Sequence, residues 1–354
     1  ITGMVYDARR KRFHVIVQPG VLLSQLRQAA ASREFDTIGW SPESLSALSA
    51  FKDSGPWFFP PDPTETSAAI GGMAATNASG ACSFSYGPTR NYVMRLRAVL
   101  ADGSVIEACR GGQRAAGRAF AVSTEDGRLI SGAVPSYSQP AVKNAAGYFA
   151  AENMDVIDLF IGSEGTLGVF SEIEILLLPA PPVVWAVMAF FTEEKNAVRF
   201  VRSVRESGLR PAAVEFFDGR ALELLRGTVR TNPAFSHVAE PPSGSGAAIY
   251  VEYHGRREDM VSLAVARMSE KMTECGGSED RTWMATDASE LERLKAFRHA
   301  VPEAVNLLID QRRRTDPGIT KLGTDMAVPD AELDDTLKMY RSSLDRAGLE
   351  YVMF

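Results

Sequence analysis

Three prolines within four residues, Pro179-Ala180-Pro181-Pro182, mark a place where no central strand can run, because each proline removes a ladder donor and locks its own φ. They separate two different patterns. Residues 15–179 alternate β-rich runs (13–17, 96–100, 157–161 and 169–178) with glycine-rich turns, and a helical stretch at 21–32 follows Pro19-Gly20. Beyond the prolines the order is strand 183–191, helix 193–207, strand 212–217, strand 247–253, helix 257–275 and a strand near 282–285. That is a split βαβ arrangement and predicts a ferredoxin-like α+β domain. Residues 231–246 read as a long surface loop, and helical signals return at 289–310 and 331–347. At 354 residues the chain exceeds a single hydrophobic core, so two domains, 1–181 and 182–354, are expected.

A formal charge of −6 argues against nucleic-acid binding, which needs a concentrated basic surface. The one dense basic run, Arg312-Arg313-Arg314, reads as a solvated or ion-paired helix end, with an anionic ligand or partner as the alternative. Cys82, Cys109 and Cys275 lie far apart, so neither a disulfide framework nor an iron–sulfur or zinc site is encoded, and a reducing compartment fits best. The longest apolar run, 183–191, is too short for a bilayer span. The expected location is cytoplasmic, or peripheral to a membrane through a partner.

The 29 glycines are unevenly spread, and their clusters are where a ligand is sought. The most informative run is PPDPTETSAAIGGMAATNASG at 60–80. Gly71, Gly72 and Gly80 lack Cβ atoms, so backbone N–H groups can approach phosphate oxygens closely. Small neighbours (Ala74, Ala75, Ala78, Ser79) leave room for a planar ligand, while Thr64, Thr76 and Asn77 offer hydrogen bonds. A tight turn between strands is the plain alternative.

A second cluster, GSEGTLG at 162–168, sits where a dinucleotide fingerprint might be sought. A Rossmann turn must open a helix, whereas Val169, Ser171, Ile173, Ile175 and Leu177 alternate with strand period, so that reading is rejected. Glu164 is either a turn carboxylate bonded to nearby amides or a contact to a ligand hydroxyl. Phosphate-loop, zinc-helix and nucleophile-elbow motifs are missing from the sequence, and His14, His237, His254 and His299 show no metal-ligand spacing.

At these residues the sequence resembles the FAD-linked oxidases with the vanillyl-alcohol-oxidase type flavin fold, in particular the D-lactate dehydrogenase and glycolate oxidase flavin-subunit branch. The resemblance rests on PPDPTE (60–65), IGGMAATNASG (70–80), SFSYGPTR (83–90), LADG (100–103), VKNAAGY (142–148) and GSEGTLGV (162–169), with TDMAVP (324–329) similar to a cap-domain strand beside the substrate. It implies that Pro61, Thr64, Gly71, Gly72, Asn77, Ser79 and Gly80 line the flavin and its pyrophosphate, with Glu164, Gly165, Gly168 and Val169 along its other side. It further implies that Arg298 binds the substrate carboxylate, a role suited to a planar double donor, with Lys321 as a second candidate. Glu292 and Glu303 are close enough in sequence to give Arg298 a structural ion pair instead. Apart from Cys82, none of the flavin motifs holds a histidine or cysteine placed as a flavin tether, so the FAD is expected to be noncovalent.

Family members also carry an N-terminal phosphate loop and a C-terminal histidine-rich metal site with the catalytic base. Neither falls within 1–354, so a longer parent protein and a divalent metal outside this chain are what the resemblance implies. The expected fold is α+β, a partial FAD-binding domain followed by a ferredoxin-like cap. The expected reaction is oxidation of a small D-2-hydroxy acid by hydride transfer to flavin, with an iron–sulfur or other electron acceptor as partner. Rivals are another enzyme on this fold, such as an alkyl-dihydroxyacetone-phosphate synthase or aromatic-alcohol oxidase, and a non-catalytic flavin-binding or assembly subunit of a larger redox complex.

Overall fold

Alternation of apolar and charged residues dictates the first sheet. In a computed structural model of the chain, which describes residues 1–63, 65, 67–143 and 145–354, the strands β1 (Gly3–Asp7), β2 (Arg12–Val17), β4 (Val93–Val99), β5 (Val105–Cys109) and β8 (Val169–Leu176) form an antiparallel sheet in the order β1-β2-β8-β4-β5. Phe13, Val15 and Val17 of β2, Leu96 and Ala98 of β4, and Ile173 and Ile175 of β8 are buried. Helices α1 (Leu23–Ser32) and α2 (Pro42–Asp53) add Leu23, Leu26, Leu48 and Phe51 to the same core. The intervening residues of the strands build a charged lattice. Arg95 contacts Glu107, Glu172 and Glu174, and His14 Nδ1 lies 2.6 Å from Glu174 Oε1. Shorter elements complete this unit, Ile1–Ala180: β3 (Trp57–Phe58) pairs with β9 (Leu178–Pro179), β6 (Ala119–Ser123) with β7 (Leu129–Ala133), and α3 (Ile70–Thr76), α4 (Ser83–Tyr86) and α5 (Ile157–Phe160) carry loop residues.

Two expectations fail here. Residues 157–160 form the helical turn α5, not a strand, and all four are buried. A continuous apolar run fits a buried turn as well as a buried strand, and periodicity cannot separate them. Helix α2 was not expected, although Ser41 caps it through a 3.2 Å bond from Ser44 N, Pro42 opens it, and Glu43 and Lys52 complement its dipole.

The second unit, Pro181–Phe354, is built on β10 (Val183–Phe191), β11 (Ala213–Asp218), β12 (Ala247–Gly255) and β13 (Thr282–Ala285), antiparallel in the order β11-β12-β10-β13. This is the strand order of a ferredoxin-like sheet. Helices α6 (Glu194–Glu206) and α8 (Glu258–Glu274) cover one face, where Phe191, Phe200, Val251 and Met268 pack together. An inserted helix α7 (Gly219–Thr231), capped by Asp218, and the long α9 (Ala288–Arg313) cover the other. There Phe297 meets Phe190, Phe217 and Trp283 edge-on at 5.5–6.1 Å. The unit therefore has three layers.

Residues 231–246 are not simply a surface loop. Phe235 and Val238 are buried, and Arg226 of α7 donates to the carbonyls of Pro241 and Pro242 at 3.2 and 2.9 Å. The expected strand at 324–329 takes no regular structure. These residues are exposed but for the half-buried Val328, and they pair with no sheet edge among the described residues; without a ladder partner an extended segment gains no strand. Helix α10 (Leu333–Arg346) follows. Among the described residues no helix is long and apolar enough to cross a membrane.

Candidate functional site

The site in the first unit grows from α3. Its entry is fixed by the turn before α1: Leu23 N donates to Ala68 O, Ile70 N to Val21 O and Gly71 N to Pro19 O, at 2.8–2.9 Å. Ile70, Met73 and Ala74 are spaced for one helical face and are buried, which turns Gly72 and Thr76 outward. Thr76 Oγ1 donates back to Gly72 O at 2.9 Å. The helix stops at Asn77, in the left-handed conformation (φ 49°, ψ 49°), where its side-chain oxygen accepts from Arg90 N at 3.0 Å.

The glycines divide by what surrounds them. A Cβ on Gly71 would lie 2.5 Å from Pro19 Cβ, one on Gly80 would lie 1.8 Å from Asp62 O, and one on Gly168 would lie 2.8 Å from Val99 O. At these three the protein's own backbone and side chains stand where a Cβ would be, so close packing requires glycine there. Gly72 has no heavy atom within 4 Å of that position, and neither does Gly165. The segment crossing Gly80 is held by Arg27 of α1, which donates to the carbonyl of the buried Pro61 at 2.8 Å and pairs with Asp62. Ser79 is half-buried beside it, while Thr64, and Asn144 of the VKNAAGY motif, lie outside the described residues.

Residues 162–168 dock directly on α3. Gly162 N donates to Ala74 O at 3.0 Å and Glu164 N to Ala75 O at 2.8 Å. Gly162, Glu164 and Gly165 have φ of 86°, 52° and 76°, so the turn coils back before β8 starts, as the strand alternation after it required. Glu164 and Gly165 are exposed, and Val169 leaves 71% of its surface uncovered. Ser163 is buried with its hydroxyl lacking a hydrogen-bond partner. The result is a shallow surface of exposed backbone, small side chains and one apolar residue, shared by α3 and the turn. Sequence reasoning assigned both segments but missed what holds them together, the pairing of the half-buried Arg90 and Arg110 with the buried Asp158.

The second unit has its own polar cluster on the face under α9. Arg298 is buried; its Nε and Nη2 both donate to Glu215 of β11, the latter at 3.0 Å, and its Cζ stands 4.7 Å from the Tyr250 ring centre. The ion-pair partner is thus Glu215 rather than Glu292 or Glu303. Along β12, Tyr250 donates to Glu252, and His254 Nε2 lies 2.5 Å from Glu252 Oε1. Burial acts to raise the Glu252 carboxyl, but the bonds from His254 and Tyr250 and the nearby charges outweigh it and hold it below the usual range. Lys321 is exposed and donates to Asn306 Oδ1 at 2.7 Å. Arg298 and Lys321 therefore sit in separate contacts.

Residues 43–108, which include α3 and Arg90, match an FAD binding domain, and residues 180–354 match the FAD linked oxidases, C-terminal domain. The chain belongs to the FAD-linked oxidase family. This FAD-linked oxidase is 27% identical over 340 residues to a probable mitochondrial D-lactate dehydrogenase of Danio rerio, covering 96% of this chain and 53% of that protein. It is 34% identical to a D-lactate dehydrogenase of Archaeoglobus fulgidus, over 47% of this chain and 29% of the other. With the glycolate oxidase subunit GlcD of Bacillus subtilis the figures are 28%, 83% and 51%. The chain spans about half, or less, of the length of these relatives. The surface on α3 fits the family's cofactor: backbone is exposed where a Cβ would otherwise stand at Gly72 and Gly165, and the orphaned Ser163 hydroxyl and the uncovered Val169 lie on the adjoining turn.

Proposed function

We propose that this chain is the flavin- and substrate-handling part of an FAD-dependent dehydrogenase that oxidises a small D-2-hydroxy acid, such as D-lactate or glycolate, to the 2-oxo acid. The observation that carries this reading is the joining of α3 to residues 162–168 through Gly162 N–Ala74 O and Glu164 N–Ala75 O, which makes one surface from the two flavin motifs. Gly72, Asn77, Ser79, Glu164, Gly165 and Val169 would hold FAD directly, and Thr64 belongs to the same sequence motif. Pro61, Gly71, Gly80 and Gly168 would act one step back, by letting backbone segments pack closely enough to shape that surface. Bound there, FAD supplies a hydride acceptor.

The protein's own residues orient and neutralise the substrate. Arg298, aligned by Glu215 and stacked on Tyr250, is assigned to the substrate carboxylate, where a fixed planar donor discriminates against neutral alcohols; Lys321 is assigned to the same charge. The two-point hold of Glu215 on Arg298 also favours a second reading, a non-catalytic flavin-binding subunit in which Arg298 is purely structural. Electrons would leave through an iron–sulfur or other acceptor partner, with the protein in the cytoplasm or peripheral to a membrane. The test is an absorbance spectrum of the full-length protein followed by anaerobic titration with D- and L-2-hydroxy acids. Bleaching of the flavin by D-acids alone is expected; a flavin that no 2-hydroxy acid reduces favours the subunit.

A further inference from the structure

Arg90 has no ligand-facing part in the site, yet it joins the two segments that form it. Residues 89 and 90 hold the chain leaving α3: Thr89 N and Oγ1 donate to Ala78 O at 2.9 and 2.7 Å, and Arg90 N donates to Asn77 Oδ1. The guanidinium then reaches the end of α5, 68 and 71 residues further along. Its Nη1 donates to both the carbonyl and the carboxylate of Asp158, at 2.5 and 3.0 Å, and its Nη2 donates to the carbonyl of Ile161. A four-residue helical turn leaves its last carbonyls without intrahelical partners, and a planar fork satisfies two of them at once. Arg110 closes the cluster from the other side, with Nη1 on Asp158 Oδ2 at 2.6 Å and Nη2 on Arg90 O at 2.9 Å. Phe149 covers the guanidinium at 4.5 Å, and the side chain is only 14% exposed. A Cβ on Gly162 would stand 3.3 Å from Arg90 Nη2, so the turn begins against this guanidinium.

We propose that Arg90 is a positioning residue for FAD, a clamp that fixes residues 162–168 against α3 before the cofactor binds. Its main chain sets one segment and its side chain the other, and the two backbone positions with room for a ligand, Gly72 and Gly165, lie one on each. The clamp rests on the assignment of this surface to FAD, so the experiment separates the two. In the full-length protein, Arg90→Met, Arg90→Lys and the surface variant Val169→Asp are compared by titration with FAD, followed by flavin fluorescence, and by hydrogen exchange without FAD.

Arg90→Met is expected to weaken FAD binding at least about tenfold and to speed exchange of the Gly162 and Glu164 amides, with β2 and β8 still protected; Arg90→Lys, which keeps the charge but not the fork, should resemble it. Val169→Asp should weaken FAD without altering those amides. FAD affinity close to the parent's in Arg90→Met, alongside weakened binding in Val169→Asp, overturns the clamp and leaves the site standing. Unchanged affinity in both removes the FAD assignment of this surface and the clamp with it. Loss of protection throughout β2 and β8 in both Arg90 variants makes Arg90 a general stability residue and also overturns the proposal.

Discussion

Gly71 and Gly72 are adjacent and identical in sequence, and the structure gives them opposite roles. An alanine at 71 puts a methyl 2.5 Å from Pro19 Cβ and 3.0 Å from both the Cα and the carbonyl oxygen of Pro19, the oxygen that accepts from Gly71 N. Proline cannot swing its ring away, so α3 must shift or the turn at 18–21 must open. Overpacking of this kind costs about 1–3 kcal/mol. Replacing glycine inside a helix returns at most about 1 kcal/mol. From the middle of that range, about 2 kcal/mol, the net loss of about 1–2 kcal/mol should lower Tm by roughly 2–8 °C for a unit of this size. At Gly72 the same methyl meets nothing within 4 Å, so Gly72→Ala should leave Tm unchanged or raise it by about 2 °C. Gly72→Val, by contrast, fills space that FAD needs. Calorimetry of the FAD-free protein and FAD titration of the three variants give the check. A Gly71→Ala protein melting at or above the parent refutes the packing argument, and a Gly72→Val protein with normal FAD affinity refutes the ligand-facing role of Gly72.

Burial acts to raise the Glu174 carboxyl, but bonds from His14 and Arg95 outweigh it and hold its pKa below 4.5, so the stability it lends is present above about pH 4.5 and is lost as pH falls through the folded value. Glu174→Gln should therefore flatten the fall in Tm below pH 4.5; a variant whose acid transition is superimposable on the parent's shows that this carboxylate does not contribute. Arg298→Lys loses the two-point contact with Glu215, and should lower Tm by several degrees, about 1–2 kcal/mol, as well as slowing flavin reduction by 2-hydroxy acids. Normal reduction with a lowered Tm would confine Arg298 to the structural role. Acid precipitation should release FAD from the full-length protein into the supernatant, and yellow protein in the pellet would show a covalent bond instead.

The strands were readable where one face is wet. Val169, Ser171, Ile173 and Ile175 announce β8 because its two faces differ, and the order of elements after Pro182 gave the ferredoxin-like sheet. Residues 157–160 were not readable, because a segment buried on all sides has no periodicity to show. Helix α2 carried its signals in Ser41, Pro42 and Glu43, and α7 carried them in Asp218 followed by Leu222 and Leu225, so both were available to a reading of caps. The site was legible only as segments. Nothing local distinguishes Gly71 from Gly72, since the difference lies in whether Pro19 stands behind the residue. Arg90 sits in the SFSYGPTR motif, but its partners at 158 and 161 are set by the fold, and the same holds for Glu215 and Arg298, 83 residues apart.

The order β1-β2-β8-β4-β5 has a consequence for how the first unit comes into being. β8 joins the opening hairpin to β4 and β5, pairing His14 with Leu176 on one side and Leu96 with Ile173 on the other. On the ribosome, β1–β2 and β4–β5 emerge first, as two separate hairpins with exposed edges and apolar faces. The first waits for about 150 residues of sequence, and the second for about 60, before the strand that unites them appears. Such long-range closure is slow and leaves unpaired edges available to other chains. A stall or cleavage between residues 134 and 168 would leave both hairpins without the strand that joins them, and β8 thereby decides whether everything made before it was worth keeping.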